Sequence, residues 1–223
     1  MLNPMQFQLK RNRMLNFYYD IETQFIELTR IIPLDNTDDT YSPRLYSILQ
    51  MSCGQVENML RLICDKFGFK YTNPDKPNTK PNFFSYYNPI NKNGILSTQW
   101  ILLKKIDFRD ISKSYSPLEL QSERAPFWWT GYNDTKHDLP DGFKQGNLKN
   151  TLYALCAVYS IHCMAYYAQH IEKPDIFLDK KNWVNLSVSY TGDGELIMDS
   201  LTPLPKSKLF YCGTRFNSDV ALI

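Results

Sequence analysis

The chain has 223 residues, 43% of them apolar and 22% charged. That supply of apolar residues suffices for one large domain, or for one domain with an appendage, and it excludes a disordered chain. A formal net charge of +2 leaves no global electrostatic case for nucleic acid or an anionic membrane.

The N-terminal residues lack an apolar stretch of secretory type, so no signal peptide is expected. Phe7, Met14, Leu15, Tyr18, Ile21, Phe25, Leu28 and Ile32 recur at three- and four-residue steps, which predicts a long first helix over 5–32. Pro33 ends it, and Asp35 to Thr40 form a polar loop.

Ser42-Pro43 carries the start signals of a second helix, a serine cap followed by proline at the first helical position. Leu45, Ile48, Leu49, Val56, Leu60 and Ile63 sustain it to Phe67, where Gly68 closes it. Gly54 sits inside it, and close packing against another helix is the expected reason. Residues 72–82 are rich in Pro, Asn and Lys and predict a loop. The aromatic stretch FFSYYNPINKNG is expected to form turns packed on the body. Ile101 to Ile111 is short and ambiguous between helix and strand. Ser116-Pro117 predicts another short helix over SPLELQSER.

After Pro126 comes FWWTGYNDTKHD, followed by a turn at Leu139-Pro140-Asp141-Gly142. A long helix is expected from Phe143 to Ile171, stopped by Pro174. Its run LYALCAVYSIHCMAYY, from Leu152, is too short to span a bilayer and contains Ser160 and His162, so it predicts a buried central helix. The tail alternates apolar and polar residues from Val184 to Tyr190. Thr191-Gly192-Asp193-Gly194 then predicts a hairpin turn, and Glu195 to Met198 the return strand. Leu209 to Cys212 is expected to add a third strand. The whole reads as mainly α: an up-and-down helical bundle over 1–175 with a small β-rich appendage over 176–223, built on a C-terminal β-hairpin.

The five cysteines are odd in number and include no CxxC pair, so buried thiols in a reducing compartment are expected, and with them a cytoplasmic location and no membrane anchor. No HxxxH or HExxH pair is present, no second His or Cys stands at ligand spacing near His137, and neither a Walker loop nor a dinucleotide fingerprint occurs. No metal or cofactor is expected.

If residues 126–138 are helical, Trp129, Asn133 and His137 stand at i, i+4 and i+8 on one face, with Lys136 beside Asn133. Such a face offers a stacking surface in Trp129, phosphate contacts in Asn133 and Lys136, and an acid/base in His137. Tyr132 and Glu57 complete the candidate ligand contacts, Glu57 as an acid able to orient the imidazole. The competing reading is structural. The Trp pair would anchor the core, and Asn133 with His137 would form a buried polar pair.

The order of features resembles the HEPN superfamily of small helical domains. A long first helix leads to a second helix carrying Glu57, then to WW, to the YNDTKHD of Tyr132 to Asp138, and to the NLKN of Asn147 to Asn150. The resemblance covers residues 5–172. It implies a helical bundle that forms a homodimer through its helices and binds RNA or a nucleotide, often within a toxin-type or antiphage defence system. In its catalytic form it implies a metal-independent endoribonuclease in which histidine moves the proton of a 2′-hydroxyl and arginine steadies the phosphate. This chain departs from that motif. Thr130, Gly131 and Tyr132 stand where the arginine belongs relative to His137, and Arg124 lies too far upstream. Lys136 is a point charge without the guanidinium fork. The expectation is therefore a module that binds a nucleotide, RNA or a protein partner. The alternatives are the endoribonuclease using His137 and a purely structural or interaction protein.

Overall fold

A computed structural model describes residues 2–34, 39–73, 79–103, 114–120, 124–137, 142–179, 186–190, 196–200 and 205–214. Among these the chain is mainly helical. Helix α1 (Pro4–Thr29) starts where the Asn3 side chain accepts from the Gln6 N–H and proline takes the first position. Helix α2 (Pro43–Phe67) has the Ser42 cap and Pro43 start that its sequence announces, and it ends at Gly68 in the left-handed conformation, φ 68°. Helix α5 (Leu148–Gln169) is capped by Asn147, whose side chain accepts from the Asn150 N–H.

Helices α1, α2 and α5 pack against one another, with α2 and α5 making the most extensive contact. Phe7, Tyr18, Ile21 and Phe25 of α1, Leu49, Val56, Met59 and Ile63 of α2, and Leu155, Val158 and Ile161 of α5 are fully buried. Helix α5 is buried nearly all round, which suits its continuous apolar run. Among the described residues no helix is long and apolar enough to cross a membrane.

Strands β1 (Gln99–Leu103), β2 (Ser114–Tyr115) and β5 (Phe210–Thr214) form an antiparallel sheet in the order β2-β1-β5. The register sets Ile101 opposite both Tyr115 and Cys212. Strands β3 (Leu186–Tyr190) and β4 (Leu196–Ser200) pair antiparallel, Leu186 with Ser200 and Tyr190 with Leu196. The turn expected at 191–194 lies outside the described residues.

Several expectations need correction. The aromatic stretch at 83 is a helix, α3 (Phe83–Ile90), because Asn82 and Ser85 cap each other's backbone N–H in a capping box. Residues 116–120 form no helix. The Pro117 carbonyl accepts from Trp128 Nε1 at 2.7 Å and the Leu118 carbonyl from the Tyr87 hydroxyl at 2.7 Å, so distant side chains take the groups a helix would use. The long helix expected from Phe143 begins instead at Leu148, after a 3₁₀ turn, Phe143–Gln145. Pro174 ends nothing. It opens a short helix α6 (Pro174–Leu178). The third strand of the tail starts one residue later and ends two residues later than expected, and it pairs with β1. Gly54 has no close neighbour at all, since a Cβ built there meets nothing within 4 Å.

Candidate functional site

Helix α4 (Phe127–His137) bears most of the residues singled out by sequence. Its inner side is fixed first by tryptophan. Trp128 is fully buried and donates to the Pro117 carbonyl. Trp129 is 6% exposed, with its ring 4.7 Å from Phe83 and 5.8 Å from Trp128. It is a core anchor, not an open stacking platform.

Glycine fixes the helix next. A Cβ on Gly131 would lie 2.6 Å from Asn150 Nδ2, one on Gly142 would lie 2.6 Å from the Asp134 carbonyl oxygen, and one on Gly146 would lie 2.7 Å from Tyr46 Cβ. Gly131 therefore marks the close approach of α4 to the start of α5, where Asn150 Nδ2 donates to the Gln145 carbonyl at 2.9 Å and to Gln145 Oε1 at 3.0 Å. The link to α2 is polar. Gln50 Nε2 donates to Thr135 Oγ1 at 2.6 Å, and that hydroxyl donates to the Tyr132 carbonyl at 2.6 Å.

The outer side carries Tyr132 and Asn133, both part-exposed, and exposed Lys136. The Tyr132 ring leans on Trp129 at 5.2 Å, and Lys136 Nζ stands 5.8 Å from its centroid on the helix turn above. Burial, and then Cys53, Glu57 and Tyr46 of α2, raise the Tyr132 hydroxyl above its ordinary range. Glu57 acts on Tyr86 in the same way: burial is the first cause of its upward shift, and Glu57 comes next. Tyr132 and Lys136 thus meet on the outer side of α4, with Trp129 beneath, and part-exposed Glu57 of α2 is close enough for its charge to bear on the Tyr132 hydroxyl. His137 is the last residue of α4 by its backbone, and its side chain lies outside the described residues.

A second polar cluster escaped the sequence reading. It lies between α1, α2 and α5. His162 is 1% exposed, and its Nε2 is 3.3 Å from Gln55 Oε1. Gln55 Nε2 donates to the Met14 carbonyl at 2.8 Å, which turns the amide oxygen toward the imidazole. Nε2 therefore carries the ring proton, and Nδ1 is bare, with no partner among the described residues. Burial, and then the Arg11 charge, push His162 down to about 3, so this imidazole is neutral throughout the physiological range. The Arg11 guanidinium lies 4.2 Å over the Tyr166 ring and donates to Asn12 at 2.6 Å. Further along α1, Glu22 Oε1 accepts from the Tyr18 hydroxyl at 2.9 Å, from the Ser207 hydroxyl, and from the N–H groups of Lys208 and Leu209 at 3.0 and 3.1 Å. The available signal was a buried-side placement: Arg11, Tyr18 and Glu22 occupy the apolar stripe of α1, and His162 interrupts the apolar run of α5.

Among the described residues no group of three His, Cys, Asp or Glu side chains is placed to hold a metal ion. Cys53 and Cys64 are buried thiols. Burial pushes Cys53 well above its ordinary range, and burial followed by Asp65 pushes Cys64 to about 12, so neither is poised as a nucleophile. Neither the family models, nor the curated proteins, nor the solved structures compared with this chain give a match.

Proposed function

We propose that this chain is an HEPN-like helical module that binds a nucleotide or single-stranded RNA on the outer face of α4 and works as a homodimer. The observation that carries the ligand reading is the part-exposed Tyr132 ring, backed by Trp129 and flanked by exposed Lys136. A base stacks on the part-exposed Tyr132 ring, Lys136 meets the phosphate, and Asn133 adds an amide donor. Glu57 repels a phosphate, so its role is to accept a hydrogen bond from a base amino group or a ribose hydroxyl. Trp129 supports this surface from below and contacts no ligand.

Titration calorimetry with mononucleotides and with short unstructured RNA tests this reading. Saturable binding is expected, with Tyr132→Ala weakening it about tenfold, the loss of one stacked base. Lys136→Ala weakens it less and flattens its dependence on salt. Absence of saturable binding at low salt would refute the reading. The same samples, incubated with RNA in chelator, separate binding from catalysis. Cutting that His137→Ala abolishes replaces the binding module by the endoribonuclease.

A further inference from the structure

Gly54 has no evident reason to be glycine. It lies inside α2, where glycine is a poorer helix former than alanine. Among the described residues the left-handed glycines are Gly68 and Gly94, and Gly54 is not one of them. Nothing approaches within 4 Å of where its Cβ would be. Neither conformation nor packing within one chain requires it. The missing side chain does open something. Gly54 floors a cleft of about 340 Å³ between α1 and α2, walled by Met14, Phe17 and Met51, with Arg13 at its rim.

The outside of α1 beside this cleft is apolar and uncovered. Phe17 is 45% exposed, Leu9 49% and Met5 71%. The exposed charges of α1 are ordered too. Lys10 and Arg13 stand toward its N-terminus, Asp20 and Glu27 toward its C-terminus. Of these only Glu27 lies in a terminal turn, and exposed Arg30 follows it at the C-cap. The order of the four charges is the one that an antiparallel copy of the same helix complements.

We infer that a second copy of this chain docks on the α1–α2 face about a two-fold axis beside Phe17, each Phe17 entering the Gly54 cleft of the other copy. The contact is isologous, so one knob and one hole per chain close it without leaving a free patch. Phe17 is the rigid aromatic anchor, and Met14 and Met51 adapt their shape around it. Arg13 of one copy faces Asp20 of the other, twice by symmetry, which fixes the antiparallel sense. The surface rests on the homodimer reading above and is independent of the ligand reading at α4.

Sedimentation equilibrium of the full chain over a wide concentration range tests it. A reversible dimer is expected. Gly54→Leu fills the cleft in a helix-favouring way, so the melting temperature holds while dimerisation weakens about tenfold or more, the typical loss when a central anchor is displaced. Arg13→Asp and Asp20→Arg each weaken it by a similar factor through like-charge contacts, and the double variant recovers most of the affinity. A dimer indifferent to Gly54→Leu, or charge reversals that fail to compensate each other, overturns this surface and leaves the homodimer reading in place. A monomer at every concentration overturns both.

Discussion

The cluster around His162 and the outer face of α4 hold similar side chains: a carboxamide, a cation, a tyrosine and a carboxylate in each. In the first these are Gln55, Arg11, Tyr18 and Glu22, all buried. In the second they are Asn133, Lys136, Tyr132 and Glu57, all at least partly open to solvent. The difference lies in what the groups face. Glu22 accepts from four donors of the chain itself, and the Gln55 amide is held at both ends. Lys136 reaches over the Tyr132 ring at the surface. Residue type alone does not mark a site. Burial turns one set into structural clasps and leaves the other able to meet a ligand.

The contrast breaks first at Glu22. Glu22→Ala strips the acceptor from two backbone N–H groups and two hydroxyls at the tail, and about 4 kcal/mol of stability is expected to go with it. Chemical denaturation measures this. A loss under 1 kcal/mol would mean that the clasp is incidental. Substitution of Glu57 by alanine, at the open face, should leave stability within about 0.5 kcal/mol.

His162 gives the next effect, through pH. Its folded value of about 3 lies below its ordinary 6.5, so between those limits the unfolded chain binds a proton that the native chain refuses. The contribution of His162 to stability is therefore flat above pH 6.5 and falls as pH drops, by about 1.4 kcal/mol per unit at the steepest, or about 3 kcal/mol by pH 4. His162→Gln should remove that share of the slope. Identical slopes in the variant and the parent between pH 6 and 4 would show that the imidazole is not sealed as described.

The helix ends were legible because caps are local chemistry. Ser42-Pro43 and Gly68 act within a few residues of themselves and read true, whereas the Asn147 cap was passed over for a start at Phe143. Residues 83–90 were misread because Pro89 and the asparagines suggested a turn, whereas the Asn82–Ser85 box sets the helix and Pro89 forfeits a single backbone bond near its end. Ser116-Pro117 sent a correct local signal that long-range bonds from Tyr87 and Trp128 override. The pairing of β5 with β1 joins segments far apart in sequence, and no local pattern specifies that register. At the site, spacing located the helix and its polar face. It did not distinguish Trp129 from Tyr132, because a stripe at helical spacing looks the same whether it faces a core or solvent.

The glycines set the smallest effects, and these have opposite signs. Gly131 of α4 faces Asn150 Nδ2 at 2.6 Å from a built Cβ, and the Asn150 side chain is tied to Gln145. Gly131→Ala must displace that pair, so the helix-propensity gain is outweighed and a net loss of about 2 kcal/mol is expected. Gly54 of α2 faces nothing within 4 Å. With no clash to offset it, Gly54→Ala should stabilise the chain by about 1 kcal/mol, raising the melting temperature by about 3 °C in a chain of this size. A methyl group also fills less of the cleft than leucine does, so Gly54→Ala should leave dimerisation far closer to that of the parent than Gly54→Leu. If calorimetry shows both alanine variants shifting in the same direction, the space around one of these glycines differs from that described, and the cleft on α2 loses its reason. If the signs differ as expected, the glycine of α4 is kept by what touches it, and the glycine of α2 by what it leaves room for.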